Sequence, residues 1–184
     1  SYVDLYLIHW PPAADVSNGG EIVSINKREE TWKAMEEIYK SGKARAIGVS
    51  NYTIRNLEEM KKYAKVIPAV DQVEFHPFLY QKELLNYCNK DGIILEAYCP
   101  LTNGKKIDDE RIGKVAKKYG KTNAQIILRW HLQHGTVPLP RSIQKAHIEE
   151  NINIFDFELS AEDMKAIDAV NENLHLRVDP EKIQ

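Results

Sequence analysis

A histidine at the end of a short apolar segment is the first candidate for chemistry in this sequence. His9 and Trp10 follow the mostly apolar residues 3–8 and precede Pro11 and Pro12. The apolar segment, with its branched and aromatic side chains, predicts a strand buried on both faces. The prolines end it because they cannot donate to a sheet ladder. An imidazole beside an indole at a strand end suits catalysis, and a histidine that only holds a loop carbonyl is the alternative.

Four more segments predict strands, and helical patterns lie between and after them. The predicted strands are 44–49, 69–74, 93–97 and 137–139, and the predicted helices are 28–40, 53–63, 81–89, 108–119, 123–133, 145–153 and 160 to about 171. This alternation indicates an α/β protein with right-handed βαβ units and a parallel sheet. It fits an open doubly wound sheet or part of a (β/α)8 TIM barrel. The barrel is favoured because no G-x-G-x-x-G follows a strand.

Polar or aromatic residues interrupt the apolar pattern at or near the carboxyl end of each predicted strand. They are His9 with Trp10, Ser50 with Asn51, Gln72 with Glu74, Tyr98 with Cys99, and Arg141 with Ser142. Barrel enzymes build their active sites at that face from several loops. Any one of these residues could simply fix a loop by hydrogen bonding. The repetition at every strand indicates a common site.

The composition argues against several classes of protein. The 184 residues are 43% hydrophobic and carry a net charge of -2, which offers no bulk attraction to nucleic acid or an anionic membrane. Neither a long apolar span nor a signal peptide pattern occurs, so a cytoplasmic location is expected. Cys88 and Cys99 are predicted to be free thiols. His131 and His134 share a predicted helix face and are expected to be solvated rather than to bind a metal.

Five motifs together resemble the aldo-keto reductase family. They are LIHWP at 7–11, IGVSNY at 47–52, QVEFHP at 72–77, EAYCPL at 96–101 and PLPRS at 138–142. The resemblance runs in order from the first residue to about Leu159. It implies a (β/α)8 barrel that transfers hydride from NADPH to an aldehyde or ketone, with NADH as a possible second cofactor. We expect residues 1–184 to form a single domain, the C-terminal part of such a barrel.

The resemblance assigns roles to the residues of the first three motifs. His9 is similar to the histidine that orients the carbonyl and donates a hydrogen bond to its oxygen, as in an oxyanion hole. Trp10 resembles the indole that walls the substrate pocket, with plain core packing as the alternative. Ser50, Asn51 and Gln72 resemble the trio that binds the nicotinamide carboxamide, which needs both donors and acceptors.

The later motifs are similar to the family's other cofactor-binding residues. Tyr98 resembles the ring that stacks on the nicotinamide, with a buried structural tyrosine as the alternative. Leu101 matches a backbone contact to the pyrophosphate, and Arg141 and Ser142 match the pair that meets the 2'-phosphate. Glu150 and Asn151 match adenine-contacting positions, although such a pair on a helix is ordinarily surface.

Two positions depart from the family's pattern. Cys99 stands where many relatives carry a serine against the pyrophosphate, which weakens that contact or leaves it to the backbone. His147 stands where a second arginine often holds the 2'-phosphate. Because a neutral imidazole cannot replace a fixed charge, the resemblance implies a smaller preference for NADPH over NADH than in relatives with both arginines.

The family's catalytic Asp, Tyr and Lys have no match in this sequence. Tyr2 and Tyr6 do not lie in that motif, and about five of eight barrel strands are predicted. The chain is therefore expected to be inactive alone, and its open edges are expected to associate. A barrel that binds nicotinamide nucleotide without catalysis, as a sensor or accessory subunit, is the alternative.

The resemblance leaves the natural carbonyl substrate open. The family sets substrate choice with variable loops, which here correspond to residues 12–27, 102–107 and the segment after Asn173. A complete protein of this family is expected to be a monomer.

Overall fold

A computed structural model of the protein describes residues 1–11 and 25–182. Its strands are β1 (Val3–Ile8), β2 (Ala44–Ser50), β3 (Val70–Glu74), β4 (Ile94–Tyr98) and β5 (Val137–Pro138). They form one five-stranded sheet in the order β1-β2-β3-β4-β5. The pairs β1 with β2, β2 with β3, and β4 with β5 are parallel. The predicted α/β fold with a parallel sheet is confirmed.

The helices lie where the sequence pattern places them, with small changes at their ends. They are α1 (Ile25–Lys40), α2 (Ile54–Met60), α3 (Lys82–Asp91), α4 (Glu110–Tyr119), α5 (Asn123–Gln133), α6 (Lys145–Ile152) and α7 (Ala161–Asp168). The loop predicted over residues 12–27 ends earlier than expected, because α1 already begins at Ile25. Residues 12–24 of that loop lie outside the described part of the chain. No described helix is long and apolar enough to cross a membrane.

Side chains and backbone geometry at the helix ends explain where α4, α5 and α7 begin or stop. The Thr122 hydroxyl accepts the N–H of Gln125, whose side chain bonds back to Thr122, so α5 starts with a capping box. The Ser160 hydroxyl caps α7 by accepting the N–H of Asp163. Gly120 ends α4 with a φ of 62°, a left-handed conformation that costs glycine little.

The expectation that β1 is buried on both faces is wrong. Val3 and Tyr6 are 49% and 47% exposed, and no residue of β1 is fully buried. The physical reason is position: β1 is the first strand in the sheet order and pairs with β2 on one side. Its apolar side chains match an interior strand, whereas its surroundings are those of an edge.

The described chain divides into two compact units. Unit 1 comprises Ser1–Val73, Glu83–Leu95 and Val178–Gln184, and unit 2 comprises Glu74–Lys82 and Glu96–Arg177. The expectation of a single domain stays a prediction.

The core of unit 1 is made of apolar side chains from its helices and strands, and α1 packs on β2. Its fully buried core includes Trp32, Ile47, Val49, Leu57, Met60 and Leu95. Trp32 on α1 and Leu57 and Met60 on α2 thus lie on the buried faces of these helices. Gly48 lies where β2 needs a residue without a side chain, since a Cβ would come within 2.6 Å of the Val70 carbonyl oxygen and 2.8 Å of a Leu7 methyl.

Unit 2 has an aromatic core around α5. Phe75 and Trp130 stack with ring centroids 5.4 Å apart, and His131 is completely buried. The expectation that His131 is solvated is therefore wrong. Its Nδ1 lies 3.0 Å from the Thr136 hydroxyl, and burial lowers its pKa to about 3, which leaves the ring neutral.

Candidate active site

The turn after β2 connects the carboxyl ends of three strands in unit 1. The Ser50 hydroxyl and the Asn51 N–H both donate to the Gln72 carbonyl, at 2.6 and 2.9 Å. The Asn51 Nδ2 donates to the His9 carbonyl at 2.9 Å and to the Ser50 Oγ at 3.1 Å. Asn51 has a φ of 62°, a left-handed conformation that asparagine tolerates better than most residues. Four predicted site residues are therefore held together by direct hydrogen bonds.

His9 and Trp10 follow β1 directly. The imidazole is exposed and the indole is half-buried, and their ring centroids are 6.3 Å apart. An exposed imidazole can donate a hydrogen bond to a small molecule, and a half-buried indole offers it an apolar wall. This geometry is compatible with both roles that the sequence predicts.

Asp71 lies next to Gln72 in β3, and successive side chains of a strand face opposite sides. Its carboxyl group is fully buried, and its Oδ1 accepts the Tyr52 N–H at 3.4 Å. Burial raises the pKa of Asp71 to about 8, so that the group is mostly protonated at pH 7. Asp71 therefore accepts a hydrogen bond from the backbone of Tyr52, the residue directly after the left-handed Asn51.

In unit 2, Tyr98 ends β4 and begins a tight turn. The ring is half-buried, and burial raises the pKa of its hydroxyl above the ordinary value. Cys99 has a φ of 53°, and its carbonyl accepts the Thr102 N–H at 2.8 Å. Cys99 and Cys88 are both free thiols, as predicted. Leu101 completes the turn, and its carbonyl accepts the Thr102 hydroxyl at 2.7 Å.

Arg141 and Ser142 lie between β5 and α6, close in sequence to the start of that helix. The Ser142 Oγ accepts the Gln144 N–H at 3.1 Å, and Gln144 forms no side-chain cap. Arg141 and His147 are exposed, and neither pairs with a carboxylate of residues 1–11 or 25–182. A helix start with uncapped N–H groups beside a guanidinium and an imidazole suits a phosphate.

Glu150 and Asn151 are half-buried near the end of α6. The Glu150 Oε1 accepts the Thr122 hydroxyl at 2.6 Å, which ties α6 to the start of α5. The Gln125 side chain donates to the Glu150 and Asn153 carbonyls at 3.3 and 3.0 Å. Glu150 therefore has a structural partner in the Thr122 side chain.

The sequence singled out Glu74 only as a polar residue in the third motif and gave it no role. Its carboxylate accepts two backbone N–H groups, from Leu176 at 2.8 Å and from Arg177 at 3.0 Å. The spacing from Gln72 places both side chains on the same face of β3. The spacing could have indicated that the Glu74 side chain has a role. It could not identify the partners of Glu74, because Leu176 and Arg177 lie about a hundred residues later in the chain.

Comparison with known proteins supports the resemblance. The Aldo/keto reductase family model matches residues 1–172. The chain is 50% identical over 182 residues to a glyoxal reductase of Bacillus subtilis, covering 99% of this chain and 62% of that protein. The chain thus spans about three fifths of that relative's length.

Solved structures show the same fold. The aldo-keto reductase MGS-M4 from a Medee basin deep-sea metagenome library superposes with a TM-score of 0.88 at 37% identity, over 100% of this chain and 65% of that one. A mutant of Gox0644 in complex with NADPH superposes with a TM-score of 0.86 at 38% identity, over 100% of this chain and 64% of that one. The five strands therefore correspond to part of an aldo-keto reductase barrel, and the chain belongs to the aldo/keto reductase family.

Proposed function

We propose that this chain binds NADPH and orients a carbonyl compound in a reductase that converts aldehydes or ketones to alcohols. The hydrogen-bonded turn of Ser50, Asn51 and Gln72 next to the His9 backbone carries the proposal. It gathers Ser50, Asn51, Gln72 and His9, the residues to which we assign carboxamide binding and carbonyl orientation, within one compact unit. The NADPH bound by the Gox0644 mutant and the glyoxal reductase activity named for the Bacillus relative support it.

The chain's own residues fit the parts of this cofactor. Ser50, Asn51 and Gln72 would hold the carboxamide, and the half-buried Tyr98 would stack on the nicotinamide. The turn at Cys99 and Leu101 would lie against the pyrophosphate. The exposed Arg141 guanidinium, with Ser142, His147 and the uncapped start of α6, would bind the 2'-phosphate, and Glu150 and Asn151 would lie near the adenine. The bound cofactor would supply a hydride from its nicotinamide ring.

His9 would act on the carbonyl oxygen. A hydrogen bond from its imidazole stabilises the negative charge that grows on that oxygen as the carbonyl carbon is reduced. Trp10 would exclude water from one side of the substrate. The alkoxide then needs a proton, and the resemblance assigns none of these 184 residues to the family's Tyr and Lys pair. We therefore expect the chain alone to bind the cofactor and to show little turnover.

Cofactor titration of the 184-residue chain tests the first half of the proposal. NADPH is expected to quench tryptophan fluorescence saturably, and Arg141→Ala is expected to weaken binding about tenfold because a charge-assisted contact to phosphate is lost. Arg55→Ala, which removes an arginine from α2, is the control. Absence of saturable binding by the wild-type chain would contradict the proposal.

Turnover of the full-length gene product tests the second half. NADPH oxidation is measured with an aromatic aldehyde and with glyoxal. His9→Phe is expected to lower kcat by roughly 10²–10³-fold, because the oxyanion loses its donor. The dissociation constant of NADPH is expected to stay within about twofold, since His9 faces the substrate. A full-length protein that binds NADPH but reduces no carbonyl compound would instead support a sensor or accessory subunit.

The remaining expectations accompany this proposal. The full-length protein is expected to be a cytoplasmic monomer with a small aldehyde or ketone as its substrate.

A further inference from the structure

The turn that follows β2 is attached to β3 at two neighbouring residues. At the first, the Gln72 carbonyl accepts the Ser50 hydroxyl at 2.6 Å and the Asn51 N–H at 2.9 Å. At the second, the Oδ1 atom of Asp71 accepts the Tyr52 N–H in a longer bond of 3.4 Å. The two attachments therefore hold three consecutive residues of the turn.

Asn51 needs support from its surroundings because its backbone is left-handed, with a φ of 62°. This conformation costs a residue other than glycine free energy, and it persists where neighbouring groups fix it. The Asn51 N–H belongs to the peptide group before this residue, and the Tyr52 N–H belongs to the peptide group after it. The bonds to Gln72 and Asp71 thus fix both peptide groups that define the conformation of Asn51.

The amides on either side of Tyr52 have acceptors of their own. The Asn51 N–H donates to the Gln72 carbonyl, and the Thr53 N–H donates to the Asn56 side chain at 3.1 Å. Tyr52 is 1% exposed. An apolar residue in place of its acceptor would therefore leave the Tyr52 N–H buried and unpaired, which costs free energy.

The surroundings of Asp71 make this hydrogen bond the main contribution of its carboxyl group. Asp71 is fully buried, and its Oδ2 has no hydrogen-bond partner among the described residues. Burial raises its pKa to about 8, so the proton lies on Oδ2 while Oδ1 accepts the Tyr52 N–H. An apolar side chain would avoid the cost of burying Oδ2. What it could not supply is the acceptor for the turn.

We propose that Asp71 is a positioning residue that holds the peptide group after Asn51 and thereby presents the carboxamide-binding turn to the nicotinamide. This inference rests on the proposed function. A carboxamide needs donors and acceptors at fixed positions, and a turn with several conformations binds it more weakly. Loss of the Asp71 acceptor should therefore weaken binding of the nicotinamide half of the cofactor and spare the adenosine half.

Three substitutions at position 71 separate the hydrogen bond from the packing. Asp71→Asn keeps an oxygen for the Tyr52 N–H and places an NH₂ group where the protonated carboxyl has its hydroxyl. Asp71→Val and Asp71→Ala both remove the acceptor, one with a larger side chain and one with a smaller side chain. Val73→Ala is the control, because it truncates a buried side chain on the same face of β3 that has no hydrogen-bonding group.

Calorimetry on the full-length gene product measures dissociation constants for NADPH and for 2',5'-ADP, which lacks the nicotinamide. Asp71→Val and Asp71→Ala are expected to weaken NADPH binding about tenfold and 2',5'-ADP binding less than about twofold. Asp71→Asn is expected to keep both constants within about threefold of the wild type. Val73→Ala is expected to lower Tm but to leave both constants within about twofold.

Hydrogen exchange in the wild-type protein tests the same contact without a substitution. If the bond from Tyr52 to Asp71 stabilises the binding conformation, bound cofactor must stabilise that bond in return. Saturating NADPH is expected to slow exchange of the Tyr52 amide at least about tenfold, and 2',5'-ADP is expected to change it less than about twofold. This measurement decides the question if neither apolar variant folds, and an exchange rate that NADPH does not change would overturn the proposal.

The calorimetry can contradict the proposal in three ways. Unchanged NADPH affinity in Asp71→Val and Asp71→Ala would overturn it, and so would equal losses for NADPH and 2',5'-ADP, which indicate general loss of structure. A loss in Asp71→Asn as large as in Asp71→Ala would also overturn it, because the acceptor would not be the cause. A wild-type protein that does not bind NADPH would instead refute the proposed function together with this role of Asp71.

Discussion

Asp71 and Gln72 show how adjacent residues acquire different properties from opposite faces of one strand. Gln72 shares its face with Glu74, and its backbone carbonyl receives the turn after β2. Asp71 is enclosed, and its Oδ2 has no hydrogen-bond partner among the described residues. The sequence pattern located Gln72 at a strand end, but it could not reveal that Asp71 is a carboxyl group without a compensating cation.

Stability should fall as pH rises because of Asp71. Its pKa is about 8 in the folded chain against an ordinary value of 3.8, so the folded state binds more protons between these values. The free energy of unfolding is then expected to lose up to roughly 1.4 kcal/mol per pH unit across that range. Urea unfolding from pH 5 to 8 should show this slope in the wild type and a smaller slope in Asp71→Asn. Asp4→Asn, at an exposed site, is the control and should keep the wild-type slope. Equal slopes in all three proteins would contradict a raised pKa of Asp71.

Cofactor choice should depend on position 147. His147 is exposed on α6, and a neutral imidazole offers no fixed charge to a 2'-phosphate. His147→Arg is expected to raise the NADPH to NADH ratio of kcat/KM about tenfold through a charge-assisted contact. Lys165→Arg on α7 serves as the control. A wild-type ratio already as large as in the variant would show that His147 does not limit the preference.

At the scale of elements, strand and helix order was predictable because each element carries its own local pattern. The start of α5 follows from Thr122 and the start of α7 from Ser160. The end of α5 is followed by Gly135, which has a φ of 73° and donates its N–H to the Leu132 carbonyl. All three effects act within a few residues. Burial was less predictable because it depends on neighbours distant in sequence. β1 resembles an interior strand but lies at the edge of the sheet, and His131 lies among the aromatic rings of unit 2 rather than in solvent.

The close packing of β2 depends on Gly48. Gly48→Ala would place a methyl group against the Val70 carbonyl and Leu7, and overpacking of this kind costs about 1–3 kcal/mol. We expect a lower Tm and weaker NADPH binding, since β2 ends at Ser50 and leads directly into Asn51. Gly113→Ala on α4 is the control, because its Cβ would meet nothing closer than Asn123 at 3.8 Å. Equal Tm values for the two variants would contradict this packing argument.

At the scale of the whole molecule, the motif order predicted both the fold and the family, because five short motifs at fixed spacing specify a strand succession. The roles of the individual site residues remain predictions. The contact of Glu74 with Leu176 could not be predicted, because no local pattern connects residues 102 positions apart.

The exposed edge of β1 should make the 184-residue chain associate. Val3 and Tyr6 are about half exposed on a strand that has only β2 as a neighbour among the described strands. Light scattering after size exclusion is expected to show species larger than a monomer at micromolar concentration. Tyr6→Lys, which puts a charge on the edge, should reduce them, whereas Lys33→Arg on α1 should not. A monodisperse wild-type monomer would contradict this expectation.

The pairing of Glu74 with residues 176 and 177 also constrains how the protein forms during translation. Until those two residues have left the ribosome, the Glu74 carboxylate cannot accept hydrogen bonds from their N–H groups and must remain hydrated. Closing so large a loop carries an entropic cost that local contacts do not. Unit 2 should therefore reach its final hydrogen bonding only after synthesis of Arg177, as a late step that follows formation of its helices.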